Sequence, residues 1–146
     1  KNMTYIDELL KLSRIALNNN EVPIAAIIVK DGKIIARGIN SKNKDNDVLA
    51  HAELIAIKEA QKYLNDWRLN GCDMYISLEP CPMCASAIQQ SRISNVYYLV
   101  ESSYEVNHKI IDLIFNNSTN NNKVSYHFTC NKEMNEILSD FFKNKR

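Results

Sequence analysis

The chain has 146 residues, 45% hydrophobic and 24% charged, with 18 basic and 17 acidic side chains for a formal net charge of +1. That length is enough for one domain with a real core, and the composition excludes a disordered, collagen-like or disulfide-stapled chain. The near-zero balance excludes a global basic field, so any nucleic-acid contact has to be a local patch.

From Thr4 to about Asn18 the chain reads as helical, with Thr4 as a cap, Asp7 three residues on, and Ile6, Leu9, Leu10, Ile15 and Leu17 at near-helical spacing. Two apolar, β-branched runs follow, Pro23 to Lys30 and Lys33 to Arg37, joined by Asp31-Gly32. Asp-Gly tolerates the positive φ of a type I′ turn, so this predicts a hairpin. The first of these strands is apolar throughout and is expected to be covered on both faces. A polar loop, Asn40 to Asp47, leads to a helix that starts near His51 and ends around Tyr63.

Residues Asp73 to Leu78 read as a strand, Pro82 to Gln90 as a helix and Asn95 to Val100 as a further strand. Lys109 to Phe115 is expected to form a short helix, Val124 to Phe128 a strand, and Asn131 to Phe142 the last helix. The Asn-rich stretch Asn116 to Asn122 reads as a mobile loop. This order predicts a single α/β domain over 1–146, a three-layer α/β/α sandwich with a mixed five-stranded sheet. No apolar run approaches the ~20 residues needed to span a bilayer, so no membrane contact is expected. The run Lys1 to Glu8 carries acids and does not read as a signal peptide. Four cysteines are too few for a stapled secreted fold, and a reducing cytoplasm is the expected setting.

Two clusters carry chemistry: His51-Ala52-Glu53 at a predicted helix start, and Glu79-Pro80-Cys81-Pro82-Met83-Cys84 at a strand–helix junction. Cysteines at i and i+3 share one face of a first turn, and Pro82 suits the first helical position, leaving Cys81 as the cap. A helix N-terminus also favours the thiolate that binds metal. With His51 the set becomes that of a catalytic zinc whose fourth position is open to water. A structural zinc needs a fourth protein ligand. Cys72 lies at the far end of a strand, roughly 20 Å away at 3.3 Å per residue; Cys130 is not removed by that geometry. A redox role for the Cys-x-x-Cys pair leaves the His-Ala-Glu element without a task.

Glu53 separates the readings, because a carboxylate beside an open zinc site takes the proton of an acidified water. The competing reading is a solvated surface glutamate. Residues i and i+2 of a regular helix point ~200° apart, so the catalytic reading requires His51 at the cap.

His51-x-Glu53 and Pro80-Cys81-x-x-Cys84 match the H-x-E and P-C-x-x-C signature of the zinc-dependent cytidine and adenosine deaminases. Within that superfamily the chain resembles the bacterial tRNA-specific adenosine deaminases. The likeness runs through Glu21-Val22-Pro23-Ile24, Gly38-Ile39-Asn40, Leu78 to Ala85, Ser91-Arg92-Ile93 and Leu138-Ser139-Asp140-Phe141-Phe142. It implies that zinc held by His51, Cys81 and Cys84 activates water against C6 of an adenine flipped out of the tRNA anticodon stem-loop. Glu53 then moves the proton to the ring nitrogen and the leaving amine, and inosine remains. The resemblance further implies base binding by Asn40 with the Ala52 backbone against the site, a homodimer, and RNA contacts from the tail at Phe142, Lys143, Lys145 and Arg146.

One segment departs from the family. A Gly-Ala-Arg-Asp stretch followed by a basic residue and glycines is replaced here by Leu99 to Lys109, in which Glu101 and Glu105 would repel phosphate. That departure keeps open a small-molecule guanine or cytosine deaminase on the same zinc site. A non-catalytic RNA-binding subunit with structural zinc is a further alternative, against which Glu53 stands. His108 and His127 have no clustered partners and do not read as ligands, and Trp67, Tyr97 and Tyr98 read as packing residues rather than base-stacking platforms.

Overall fold

A computed structural model describes residues 2–116 and 122–144. Helix α1 spans Asn2–Asn18, followed by strands β1 (Ala25–Lys30) and β2 (Lys33–Ile39). Then come α2 (Lys42–Asp45), α3 (Ala52–Leu64), β3 (Cys72–Ile76) and α4 (Pro82–Gln90). The chain continues with β4 (Asn95–Tyr98), α5 (Glu105–Phe115), β5 (Ser125–Phe128) and α6 (Lys132–Asn144).

The five strands lie in the order β2-β1-β3-β4-β5. β1 is antiparallel to both of its neighbours, and β3, β4 and β5 run parallel. One sheet face carries α1 and α6 on a core of Leu9, Ile27, Leu99, Met134 and Leu138. The other carries α3, α4 and α5 on Ile28, Ala56, Met74, Ile88, Ile111 and Phe115. The three-layer sandwich with a mixed sheet is therefore as the sequence reads. Asp31 and Gly32 hold φ of 52° and 77°, the paired positive values of a type I′ turn. β1 is buried along almost its whole length, as its unbroken apolar run requires.

Several boundaries differ from expectation, most by one or two residues. α1 starts ahead of Thr4, which lies inside the first turn and does not cap it. The polar loop after β2 holds one turn of helix, because the Glu21 carboxylate accepts the Asn43 and Lys44 N–H groups at 3.1 and 2.8 Å. β3 and β4 end at Ile76 and Tyr98, two residues early in each case. α5 begins at Glu105 rather than Lys109, since Val106 and Asn107 continue a helix whose only fully buried residues are Ile111 and Phe115. Of the Asn-rich stretch, residues 117–121 lie outside those described.

Gly38 sets the distance between sheet and helix. A Cβ there would meet the Ala52 carbonyl oxygen at 2.2 Å and the Ala56 nitrogen at 2.9 Å. No side chain fits beneath the first turn of α3. Gly38→Ala is expected to cost about 3 kcal/mol through overpacking and to lower Tm by about 10 °C, read by thermal unfolding.

Candidate active site

His51 occupies the N-cap of α3 with an extended backbone, φ −83° and ψ 145°. From the cap its ring turns toward the mouth of α4, where Cys81 is the N-cap and Pro82 the first helical residue. His51 Nδ1 lies 3.4 Å from Cys84 Sγ and 3.8 Å from Cys81 Sγ. All three donor atoms fall within 4.8 Å of one another. Tetrahedral zinc with Zn–S and Zn–N bonds of about 2.3 and 2.0 Å has ligand–ligand edges of about 3.5–3.8 Å, so the donor set fits that ion. Among the described residues this grouping takes in neither Cys72 nor Cys130. Cys72 is buried at the start of β3, and Cys130 is exposed.

The electrostatics favour a bound cation. Cys84 donates to Cys81 and pulls the Cys81 thiol down to about 5, assisted by the Met83 and Cys84 N–H groups and by His51. The same donated bond, with burial, holds Cys84 protonated far above its usual range. Glu53, in the first turn of α3, is 4% exposed. Burial pushes its carboxyl up to about 7, and the Cys81 charge adds to the rise against its own backbone N–H and Cys84. A divalent ion among these groups neutralises the negative charge they crowd together.

Asn40 follows β2, and its side-chain Oδ1 accepts the Ala52 N–H at 3.0 Å. Its own N–H reaches Ile24 O at 3.1 Å. The residue therefore ends a strand, as a turn asparagine would, and also fixes the first residue of α3. Asn40, Ala52, His51, Glu53, Cys81 and Cys84 are thus brought to one end of the sheet.

The cytidine and deoxycytidylate deaminase zinc-binding region matches residues 1–100. The chain belongs to this family. It is 39% identical over 145 residues to the tRNA-specific adenosine deaminase of Aquifex aeolicus (strain VF5), covering 97% of this chain and 94% of that one. A solved tRNA:A34 deaminase, studied for A-to-I editing at the wobble position, is 36% identical with a TM-score of 0.76, over 88% of this chain and all of that one. The guanine deaminase of Bacillus subtilis is 32% identical with a TM-score of 0.68, over 99% and 94% of the two chains. Zinc is the metal of the family.

In this deaminase, Phe142 and Lys143 line a cleft of about 670 Å³ together with Leu78, Val100, Glu101 and Tyr104. Lys145 and Arg146 lie outside the described residues. Trp67 is half-exposed rather than packed inside, lying against the Arg68 and Arg92 guanidiniums at 4.6 and 5.5 Å. Tyr97 and Tyr98 are packing residues, in stacks with Tyr75, His127 and Phe128.

His108 finds a partner that its sequence neighbours do not supply. Its Nδ1 lies 2.8 Å from Glu79 Oε2. Glu79 is buried and also accepts the Ser102 N–H at 3.0 Å. The signal available in the sequence was an acid beside Pro80-Cys81; its partners lie 23 and 29 residues further on. The geometry predicts one zinc per chain in wild type and in Cys130→Ala, and loss of that zinc in Cys84→Ala, measured by metal analysis after dialysis.

Proposed function

We propose that this chain is a zinc-dependent hydrolase that converts wobble adenosine to inosine in the anticodon stem-loop of tRNA. The observation that carries the reading is the 39% identity to the Aquifex aeolicus tRNA-specific adenosine deaminase along nearly the full length of both chains. His51, Cys81 and Cys84 would hold zinc, which when bound acidifies a water molecule so that it can attack at neutral pH. Glu53 accepts the proton of that water on its buried carboxylate. It returns the proton to the adenine ring nitrogen as the new C6–O bond forms. Glu53, again a carboxylate, then takes the remaining proton of the new C6 hydroxyl and delivers it to the departing amine as the C6–N bond breaks, so that ammonia leaves and the C6 carbonyl of inosine remains.

Asn40 supports this chemistry from the side. Its Oδ1 is engaged by Ala52, which leaves its amide N–H groups to donate to a base. Ala52 contributes by holding that orientation. Phe142, half-exposed beside Lys143, offers a stacking face next to a phosphate-binding charge, and Lys145 and Arg146 continue the basic tail.

The reading includes a homodimer, supported by Val48, Leu49 and Met83, apolar side chains exposed close in sequence to His51 and Cys84. The four cysteines are free thiols, which suits a reducing cytoplasm. Among the described residues no helix is long and apolar enough to cross a membrane.

A second reading, guanine deamination, is favoured by the 32% identity to the Bacillus subtilis guanine deaminase and by Glu101 on the cleft wall. A non-catalytic partner subunit is disfavoured by the presence of Glu53, buried beside Cys84, where a binding subunit would not need a carboxylate to move protons. The decisive assay offers zinc-loaded protein a wobble-adenosine stem-loop, free adenosine, guanine and cytosine in parallel. Inosine is expected in the RNA alone, with Glu53→Ala lowering the rate by about 10³-fold while retaining zinc. Turnover of a free base with none on the RNA would overturn the tRNA assignment. Lys143→Ala is expected to weaken stem-loop binding at every sequence and to reduce the slope of log affinity against log salt by about one.

A further inference from the structure

Glu79 is a buried carboxylate that the proton chemistry does not use. Its side chain is 1% exposed, and a carboxylate held from water is stable only when its oxygens are hydrogen-bonded. Both oxygens are: Oε1 by the Ser102 N–H at 3.0 Å and Oε2 by His108 Nδ1 at 2.8 Å. One residue further along the metal-donor loop, the Pro80 carbonyl accepts Asn107 Nδ2 at 3.2 Å. Three bonds thus join the loop that ends at Cys81 to residues 102–108. Ser102, Ser103 and Tyr104 of this segment line the cleft together with Phe142 and Lys143. Tyr104 is 74% exposed.

We propose that Glu79 and His108 form a latch that sets substrate recognition, holding the 102–104 wall against the metal-donor loop where it meets nucleotides flanking the target base. The inference rests on the tRNA reading above. Glu79 touches no reacting atom and is a positioning residue. Packing does not duplicate the latch, because α5 is anchored further along by the fully buried Ile111 and Phe115. Loss of His108 therefore leaves the helix in place and loosens the wall, which keeps only the Ser102–Glu79 and Asn107–Pro80 bonds.

The test combines kinetics on the stem-loop with hydrogen exchange. His108→Ala is expected to raise KM about tenfold, the worth of one hydrogen bond to a charged group, with kcat within about threefold and zinc retained. Glu79→Gln keeps a carbonyl for Ser102 and gains an amide donor for the His108 ring, so it is expected to stay near wild type, whereas Glu79→Ala is not. Unchanged KM in His108→Ala, or a fall in kcat with loss of zinc, would overturn the latch. Independently of any substrate, the Ser102 amide is expected to exchange faster in Glu79→Ala, and unchanged exchange would overturn it as well. Absence of inosine with wild-type protein would sink the tRNA reading alone, with Ser102 exchange still deciding the latch.

Discussion

The first turn of α3 rests directly on the backbone of β2, and the donor set exists because of that contact. At Gly38 there is no room for even a methyl group between strand and helix. The strand then ends, and Asn40 takes the Ala52 N–H, so the helix has a fixed start. With the start fixed, His51 falls at the cap, outside the helical spiral. Two residues that would diverge inside a helix can then serve one site, His51 from the cap and Glu53 from the first turn.

The same end of the sheet also receives the N-terminus of α4. Two helix mouths therefore supply donor N–H groups and positive dipole ends to a site that carries two thiols and a carboxyl. Without a cation the groups compete for protons: Cys81 ionises readily, Cys84 keeps its proton, and burial resists charge on Glu53. Such competition at close quarters marks a place built for a divalent ion. A surface glutamate and a structural thiol pair would not need it.

Strand direction decides what borders the metal loop. β3 and β4 are parallel neighbours, so the segments leaving their C-terminal ends run side by side. The Glu79 N–H donates to the Val100 carbonyl at 2.8 Å as the first sign of this adjacency. Ser102, Asn107 and His108 follow, so the Leu99–Lys109 stretch becomes the neighbour of the metal-donor loop. Substrate choice and metal chemistry thus occupy adjoining loops that are tied at Glu79 and Pro80.

Much of this was readable in the residues alone. Alternation and apolar runs specified the strands, Asp31-Gly32 specified the hairpin, and Cys81-Pro82-x-Cys84 specified a capped helix with both sulfurs on one face, because these features depend on neighbours a few residues apart. The placement of His51 at a cap followed as a requirement of the chemistry, and the fold meets it. The pairing of Asn40 with Ala52, the use of His51 Nδ1, the N-terminal extension of α5 and the Glu79–His108 pair were not readable. Each depends on which strands lie side by side and in what register, and β-pairing joins residues whose separation in the chain leaves no local period. The sequence by itself therefore determined which residues are the candidates for the chemistry, and the tertiary structure alone decided which of their atoms converge and which distant side chains hold them in place.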